Sequence, residues 1–119
     1  MGEVVTRTID DGVAVLTLNR PDRLNAWTAE MKRVYFDLLE DCAGDGDVRV
    51  IVLTGAGRGF CAGADMDELR SIGEGGLDAA AKVAAEDPRP QTFPLTIPKP
   101  VIAAINGPCA GLGLVHALM

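Results

Sequence analysis

Two turns rich in glycine and alanine contain the groups best suited to chemistry. The first, residues 54–65, follows a short apolar run and leads into an acidic helix start. The second, residues 106–113, follows another apolar run and leads into an apolar helix start. The first N–H groups of a helix have no partner within it, and the helix dipole leaves that end partly positive. Two adjacent turns of this kind predict a pair of backbone N–H groups that hold one ligand oxygen, as in an oxyanion hole.

The cysteine, histidine and aspartate side chains are predicted to have structural roles and not catalytic ones. The cysteines, Cys42, Cys61 and Cys109, are far apart and form no Cys-x-x-Cys pair, which argues against a zinc site or a disulfide framework. A nucleophilic thiol is not favoured either, because no histidine lies at a matching place. The single histidine, His116, lies in an apolar stretch and is predicted to be a core residue. Asp65 is predicted to cap the helix that follows it or to hydrogen-bond the turn, and not to act as an acid or base.

The first turn also differs from a dinucleotide-binding turn. Phe60 stands where the third glycine of that motif belongs. Asp65, Asp67 and Glu68 follow, and their carboxylates would repel a pyrophosphate. A nucleotide cofactor is therefore not expected at this turn.

Composition indicates one globular domain and excludes some partners. The chain has 119 residues, with 17 acidic and 11 basic side chains and a net charge of -6, so nonspecific binding to nucleic acid or anionic membranes is not expected. Residues 101–119 contain no Asp, Glu, Lys or Arg, but Asn106, Pro108 and three glycines interrupt them. We therefore expect a buried strand, turn and helix there and no membrane span. The unpaired cysteines and the lack of a secretion signal at residues 1–6 predict a cytoplasmic location.

The predicted elements form an α/β protein. Residues 3–8 and 13–18 flank an Asp-Gly turn and predict a hairpin, and Thr28 is predicted to cap a helix that runs to about residue 43. That helix has an apolar face, which consists of Met31, Val34, Tyr35, Leu38, Leu39 and Cys42. Strands are predicted at 48–53 and 101–105, and the glycine- and alanine-rich segment of about 73–91 is predicted to be a flexible flap with a short helix.

Three motifs resemble the enoyl-CoA hydratase/isomerase family, also called the crotonase family. They are Asn19-Arg20-Pro21-Asp22-Arg23-Leu24-Asn25-Ala26, Gly59-Phe60-Cys61-Ala62-Gly63-Ala64-Asp65, and the stretch from Lys99-Pro100 to Cys109-Ala110-Gly111. The resemblance implies a repeated β-β-α core of the ClpP/crotonase type, of which residues 1–119 are the amino-terminal and incomplete portion. It also implies an acyl-CoA thioester as substrate, with coenzyme A as part of that substrate and no separate cofactor or metal.

The resemblance assigns roles to individual residues. The oxyanion-hole donors would be the N–H groups of Ala64 and Leu112. Arg23 and Leu24 would line the coenzyme A groove. Further substrate-binding positions match Ala62, Asp65, Met66, Pro108, Gly111 and Val115.

Two departures from the family pattern bear on activity. Hydratases of the family carry a glutamate three residues past the second donor, where this chain has Val115, which cannot activate water. The second catalytic carboxylate of hydratases and the general base of isomerases lie, in the family, at positions beyond residue 119. The chain is also much shorter than family members, so it is expected to be a fragment or a natural truncation. The chain is therefore expected to be part of an enoyl-CoA hydratase or of an isomerase, or to be an inactive coenzyme A-binding module. Glu74 and Glu86 in the flap are candidate substitutes for the missing acid.

The resemblance also concerns assembly and metabolic role. A complete chain would form a homotrimer or hexamer, and fatty-acid β-oxidation is the commonest family role.

Overall fold

A hairpin begins the fold in the computed structural model, which describes residues 3–119. Strand β1 (Val5–Asp10) pairs antiparallel with β2 (Val13–Leu18). Asp11 and Gly12 connect the strands with φ angles of 49° and 81°, as expected for a two-residue hairpin turn of type I′. The predicted hairpin is confirmed, although β1 begins two residues later than predicted and continues up to the turn.

Helix α1 (Ala29–Gly44) packs against this hairpin. The hydroxyl of Thr28 accepts a hydrogen bond of 3.1 Å from the Met31 N–H, so the predicted cap is confirmed. The alternating residues of β2, Ala14, Leu16 and Leu18, are buried. The buried face of α1 consists of Met31, Tyr35, Phe36, Leu39 and Cys42. Val34 and Leu38 lie at the edge of that face and are only partly buried.

The sheet of the described residues has the order β1-β2-β3-β4. Strands β3 (Val50–Gly55) and β4 (Val101–Ala103) add to it in parallel fashion. β3 begins later than predicted because Val48 belongs to the preceding turn, where its N–H donates to the carbonyl of Asp45. β4 is shorter than predicted. The carboxyl ends of β3 and β4 lie at the same edge of the sheet, as parallel pairing requires, and the two glycine-rich turns leave from that edge.

Helix α2 (Met66–Glu86) follows the first turn and is longer than the sequence predicted. Its backbone is helical up to Glu86 except at Gly76, where φ is 70° and the helix kinks. None of its residues is buried. The segment predicted as a flap is therefore mostly helical to residue 86, and its flexibility stays a prediction.

Helix α3 (Leu112–Leu118) follows the second turn and packs against β4. Only Gly113 and His116 of this helix are buried. Within residues 3–119, no helix combines the length and the apolar character that crossing a bilayer requires.

Candidate active site

The two glycine-rich turns lie side by side and are joined by backbone hydrogen bonds. The N–H groups of Phe60 and Cys61 both donate to the carbonyl oxygen of Pro108 at 3.1 Å. In return, the Ala110 N–H donates to the carbonyl oxygen of Cys61 at 3.1 Å. These three bonds hold the start of α2 next to the start of α3.

Glycine allows this close approach one residue before each predicted donor. Gly63 and Gly111 have φ angles of 118° and 54°, which residues with a side chain rarely adopt. A Cβ atom on Gly111 would lie 3.4 Å from the Cα atom of Gly63. The backbones of the two turns are therefore in direct contact.

The N–H groups of Ala64 and Leu112 are left without acceptors. Among the hydrogen bonds of residues 3–119, neither group donates to a backbone or side-chain oxygen, whereas their neighbours do. The Asp65 N–H donates to Trp27 at 2.8 Å, and the Gly113 N–H donates to Ala110 at 2.9 Å. Ala64 and Leu112 both line one cavity of about 420 Å³. That volume lies within the range of small-molecule sites.

The cavity lies between α1 and α2. Apolar side chains cover much of the α2 wall, and they are Leu69, Ile72, Ala80, Val83 and Ala84. The kink at Gly76 separates the two groups of lining residues, so both halves of α2 face the same space. Trp27 and Ala29 lie opposite, and Gln91 closes one side. The arrangement suits an apolar group whose polar end reaches the two free N–H groups.

Asp65 lines the cavity but is engaged in structural contacts. Its carboxylate accepts a 2.9 Å bond from the Glu68 N–H, and its other oxygen pairs with Arg20 at 3.1 Å. The bond from Glu68, together with Arg20, lowers the pKa of Asp65 despite its burial. Arg20 also donates to the carbonyl of Ala26. The predicted cap is confirmed, and Asp65 is an ionised anchor for the start of α2.

The other substrate-binding residues predicted from the resemblance lie outside the lining of the cavity. Arg23 is half exposed and pairs with Asp67 at 3.1 Å, and the carbonyl of Leu24 accepts a bond from the Ala62 N–H. Met66 is exposed. Pro108 and Gly111 contribute to the joined turns, and Val115 points away from the core with 42% of its surface exposed. Any role of these residues in binding substrate stays a prediction.

Carboxylates in the cavity differ in how they are engaged. Glu68 accepts a bond from the Ala29 N–H at 2.9 Å, and Asp87 pairs with Arg89. Within the described part of the chain, Glu30 and Glu86 line the cavity without a hydrogen bond or ion pair from their side chains. The candidate acid Glu86 is thus at the cavity. The other candidate, Glu74, is exposed and does not line it.

A buried cluster of rings next to the cavity is not evident from the sequence. The indole of Trp27 stacks on the imidazole of His116, with ring centres 4.1 Å apart and planes inclined by 20°. Tyr35 contacts both rings edge-on. His116 Nε2 lies 2.8 Å from Oε1 of Gln91. Burial, with a smaller contribution from the charge of Lys32, lowers the pKa of His116 to about 4. The prediction that His116 is a core residue is confirmed.

Arg89 fixes the segment that follows α2. Its guanidinium pairs with three carboxylates at 2.8 to 3.0 Å, which belong to Asp37, Glu40 and Asp87. It also lies over the ring of Phe36 at 5.5 Å. These contacts fasten the end of α2 to α1, so both ends of the cavity's outer wall are anchored. These ion pairs are difficult to predict from the sequence, because the acidic residues on α1 resemble an ordinary solvent-exposed helix face.

Cys42, Cys61 and Cys109 are free thiols, and burial raises the pKa of each. Within residues 3–119, no group of histidine, cysteine and acidic side chains is arranged to hold a metal ion.

Comparison with known proteins identifies related sequences. The sequence profile described as enoyl-CoA hydratase/isomerase matches residues 8–119. The chain is 39% identical over 119 residues to 1,2-epoxyphenylacetyl-CoA isomerase of Escherichia coli, covering 99% of this chain and 45% of that protein. It is 40% identical over 110 residues to a probable enoyl-CoA hydratase of Mycobacterium leprae, covering 89% of this chain and 37% of that protein.

Solved structures show the same relationship. The crystal structure of an enoyl-CoA hydratase/carnithine racemase from Magnetospirillum magneticum matches with a TM-score of 0.85 and 34% identity, over 98% of this chain and 44% of that one. The fold and the joined turns therefore define an α/β protein of the crotonase type. The chain belongs to the enoyl-CoA hydratase/isomerase family. It spans less than half the length of these relatives.

Proposed function

We propose that the protein acts on an acyl-CoA thioester, as an enzyme of the enoyl-CoA hydratase type, by stabilising the enolate of the substrate. The observation that carries the proposal is the pair of unpartnered N–H groups, from Ala64 and Leu112, that line one cavity. The thioester oxygen would accept both N–H groups, and the acyl chain would lie against the apolar wall of α2. Coenzyme A belongs to the substrate, and no further cofactor is proposed.

Charge stabilisation by the two donors would supply much of the catalysis. When a proton leaves the α-carbon, or water adds to the β-carbon of an enoyl thioester, negative charge moves onto the thioester oxygen. Backbone donors that are already fixed in place stabilise that charge without reorganisation, and loss of one such donor slows related reactions by about 10²–10³-fold. The hydrogen bonds between the turns supply this rigidity here.

Of the two flap candidates for the acid or base, the geometry favours Glu86, because Glu74 lies outside the cavity. Val115 cannot transfer a proton, whereas Glu86 lines the cavity with no partner for its carboxylate in the described residues. One carboxylate suffices for an isomerase, in which the same group removes a proton and returns it elsewhere. Hydration, in contrast, requires this carboxylate to position a water molecule as well. An isomerase is therefore the first alternative.

A binding module without catalysis is the second alternative. The apolar, exposed Val115 at the position of the family's glutamate favours it. Such a module would retain affinity for acyl-CoA and give no product.

Further proposals concern the setting of the protein. The three free cysteines support a cytoplasmic location. By analogy with the family, we place the activity among lyase-type steps of fatty-acid breakdown, and we propose a homotrimer or hexamer as the assembly of the complete enzyme.

The test is turnover of crotonyl-CoA by the protein in the full form encoded by its gene. Glu86→Gln is expected to lower kcat by about 10²–10⁴-fold, the usual contribution of a positioned acid or base. Glu74→Gln is the matched control, because Glu74 lies on the same helix but outside the cavity, and its rate should equal that of the wild type. Equal rates for both variants would exclude Glu86. Binding of crotonyl-CoA without hydration or double-bond shift would favour the inactive module.

A further inference from the structure

Main-chain atoms of Trp27 hold the first donor. The Trp27 N–H donates to the carbonyl of Gly63 at 2.7 Å, and the Trp27 carbonyl accepts from the Asp65 N–H at 2.8 Å. These bonds flank Ala64 on both sides. The position of the Ala64 N–H is therefore fixed by the backbone of Trp27.

The side chain of Trp27 reaches the helix that carries the second donor. Its ring stacks on His116, which lies four residues after Leu112 and so about one turn further along α3. Gln91 holds the other edge of the imidazole through Nε2. One residue, Trp27, thus contacts the framework of both donors.

Within residues 3–119, helix α3 packs against β4 but has few other buried anchors. It has seven residues, starts after Gly111 in a backbone conformation with φ of 54°, and buries only Gly113 and His116. Leu114, Val115 and Leu118 are exposed. Leu112 and Ala117 are partly buried against the core. Gly113 has no side chain, so within residues 3–119 the one fully buried side chain of α3 is that of His116.

We propose that His116 is a positioning residue, and that its stack with Trp27 sets the location of the Leu112 N–H relative to the Ala64 N–H. The inference rests on the proposed function for its catalytic meaning. Its structural content, that the stack orders the start of α3, is independent of any reaction. His116 touches neither the cavity nor the substrate site and acts only through α3.

The stack also buries polar ring atoms, which lowers stability and which an apolar side chain in the same place would avoid. Two atoms of the stacked rings, Trp27 Nε1 and His116 Nδ1, are buried and have no hydrogen-bond partner within the described residues, and the same holds for Oη of the neighbouring Tyr35. A buried polar atom without a partner typically destabilises a fold, whereas an aliphatic side chain would fill the same space without that penalty. Leucine at such a site would serve packing at least as well. A stacked, hydrogen-bonded imidazole fixes an orientation that leucine does not.

The experiment compares His116→Leu with His116→Phe, which retains a ring for stacking, and with Leu118→Ala on the exposed face of the same helix. The first readout is the NMR order parameter of the backbone amides of Leu112 and Ala64 in the free protein. The second is the ratio of the affinities for butyryl-CoA and for free coenzyme A. Both use the full form of the protein encoded by its gene.

The expected result separates the two donors. In His116→Leu the order parameter at Leu112 should fall from about 0.85 to below about 0.6, while Ala64 stays rigid because backbone bonds of Trp27 hold it. The preference for the thioester should fall about tenfold, with unchanged affinity for free coenzyme A, and this factor corresponds to about 1.4 kcal/mol. His116→Phe and Leu118→Ala should resemble the wild type in both readouts.

A rigid Leu112 amide in His116→Leu, or equal losses in His116→Leu and His116→Phe, would overturn the inference. If His116→Leu does not fold, Trp27→Leu provides the second test, because it removes the stack and retains the backbone bonds around Ala64. A rigid Leu112 amide in Trp27→Leu would likewise overturn the inference. If the wild type itself shows no preference for the thioester, the proposed function fails, and the order parameters still decide the structural role of His116.

Discussion

Adding a methyl group at Gly113 should separate the two turns. Gly113 is buried at the start of α3 and faces Cys61 in the first turn. A Cβ atom there would overlap the carbonyl oxygen of Cys61 and would lie 2.7 Å from the Cys61 Cβ atom. Carbon atoms prefer a separation of about 3.5–4.0 Å, so α3 would have to move away by about 1 Å. The Leu112 N–H would move with it.

The expected cost follows from this displacement. Overpacking in a closely packed interior costs about 1–3 kcal/mol, and the backbone oxygen of Cys61 cannot rotate aside as a flexible side chain could. A misplacement of about 1 Å at a reacting group can also cost about 10²-fold in rate. Gly113→Ala should therefore lose stability and most of any turnover together.

The assay is chemical denaturation, with Gly44→Ala as the matched control. Gly44 is the last residue of α1, and a Cβ atom there would meet nothing within 4 Å. Its replacement should change the free energy of unfolding by less than about 0.5 kcal/mol, whereas Gly113→Ala should lower the denaturation midpoint with an unchanged m-value. A Gly113→Ala protein as stable as the control would refute the close apposition of the turns.

Three further changes test other parts of the structure. Burial lowers the pKa of His116 from 6.5 to about 4. Between pH 4 and pH 6.5, His116 is therefore protonated in the unfolded chain and neutral in the folded protein. Stability should therefore fall as the pH drops from 6.5 to 4, by roughly 3 kcal/mol at most, and denaturation of His116→Leu should lack this dependence. The side chain of buried Asn25 makes three hydrogen bonds at 2.7 to 3.0 Å, and its backbone φ is 56°. Asn25→Ala should therefore lower the free energy of unfolding in urea by about 2–4 kcal/mol. A loss below about 1 kcal/mol would contradict this. Asp65→Ala should be less stable than Asp65→Asn by about 1 kcal/mol in thermal unfolding, because only asparagine retains a cap oxygen, and equal melting temperatures would count against the cap.

Local signals explain why the first half of the fold is predictable. The Asp-Gly pair between two β-prone runs specifies the hairpin, because both turn residues need a positive φ. Thr28 and the apolar spacing that follows specify α1 in the same way. Neither inference depends on contacts that are distant in the chain.

The length of α2 shows where composition misleads. The cluster of glycines from 73 to 76 predicts a break, but only Gly76 leaves helical geometry. The alanine-rich residues after it are strong helix formers, so they restart the helix at once. Anchors at Asp65 and Arg89 then hold both ends, and the intervening residues need no buried face.

Long-range contacts explain why part of the candidate site was missed. The apposition of the turns was expected from the repeated strand-turn-helix pattern, and the shared cavity fits that expectation. The stack of Trp27 on His116 and the ion pairs of Arg89 join residues that are far apart in sequence and follow no periodic pattern. An isolated histidine or arginine carries no local sign of its partner, so such contacts require the folded coordinates.

The most direct test of the central claim is the carbonyl signal of bound butyryl-CoA, isotopically labelled at the thioester carbonyl carbon and followed by NMR. This saturated thioester cannot be hydrated, so the bound state persists. If the N–H groups of Ala64 and Leu112 hold the thioester oxygen, they polarise the carbonyl, and its carbon resonance should move downfield on binding and return towards the free value in Gly113→Ala. A bound ligand whose carbonyl resonance stays at its free value would contradict the account.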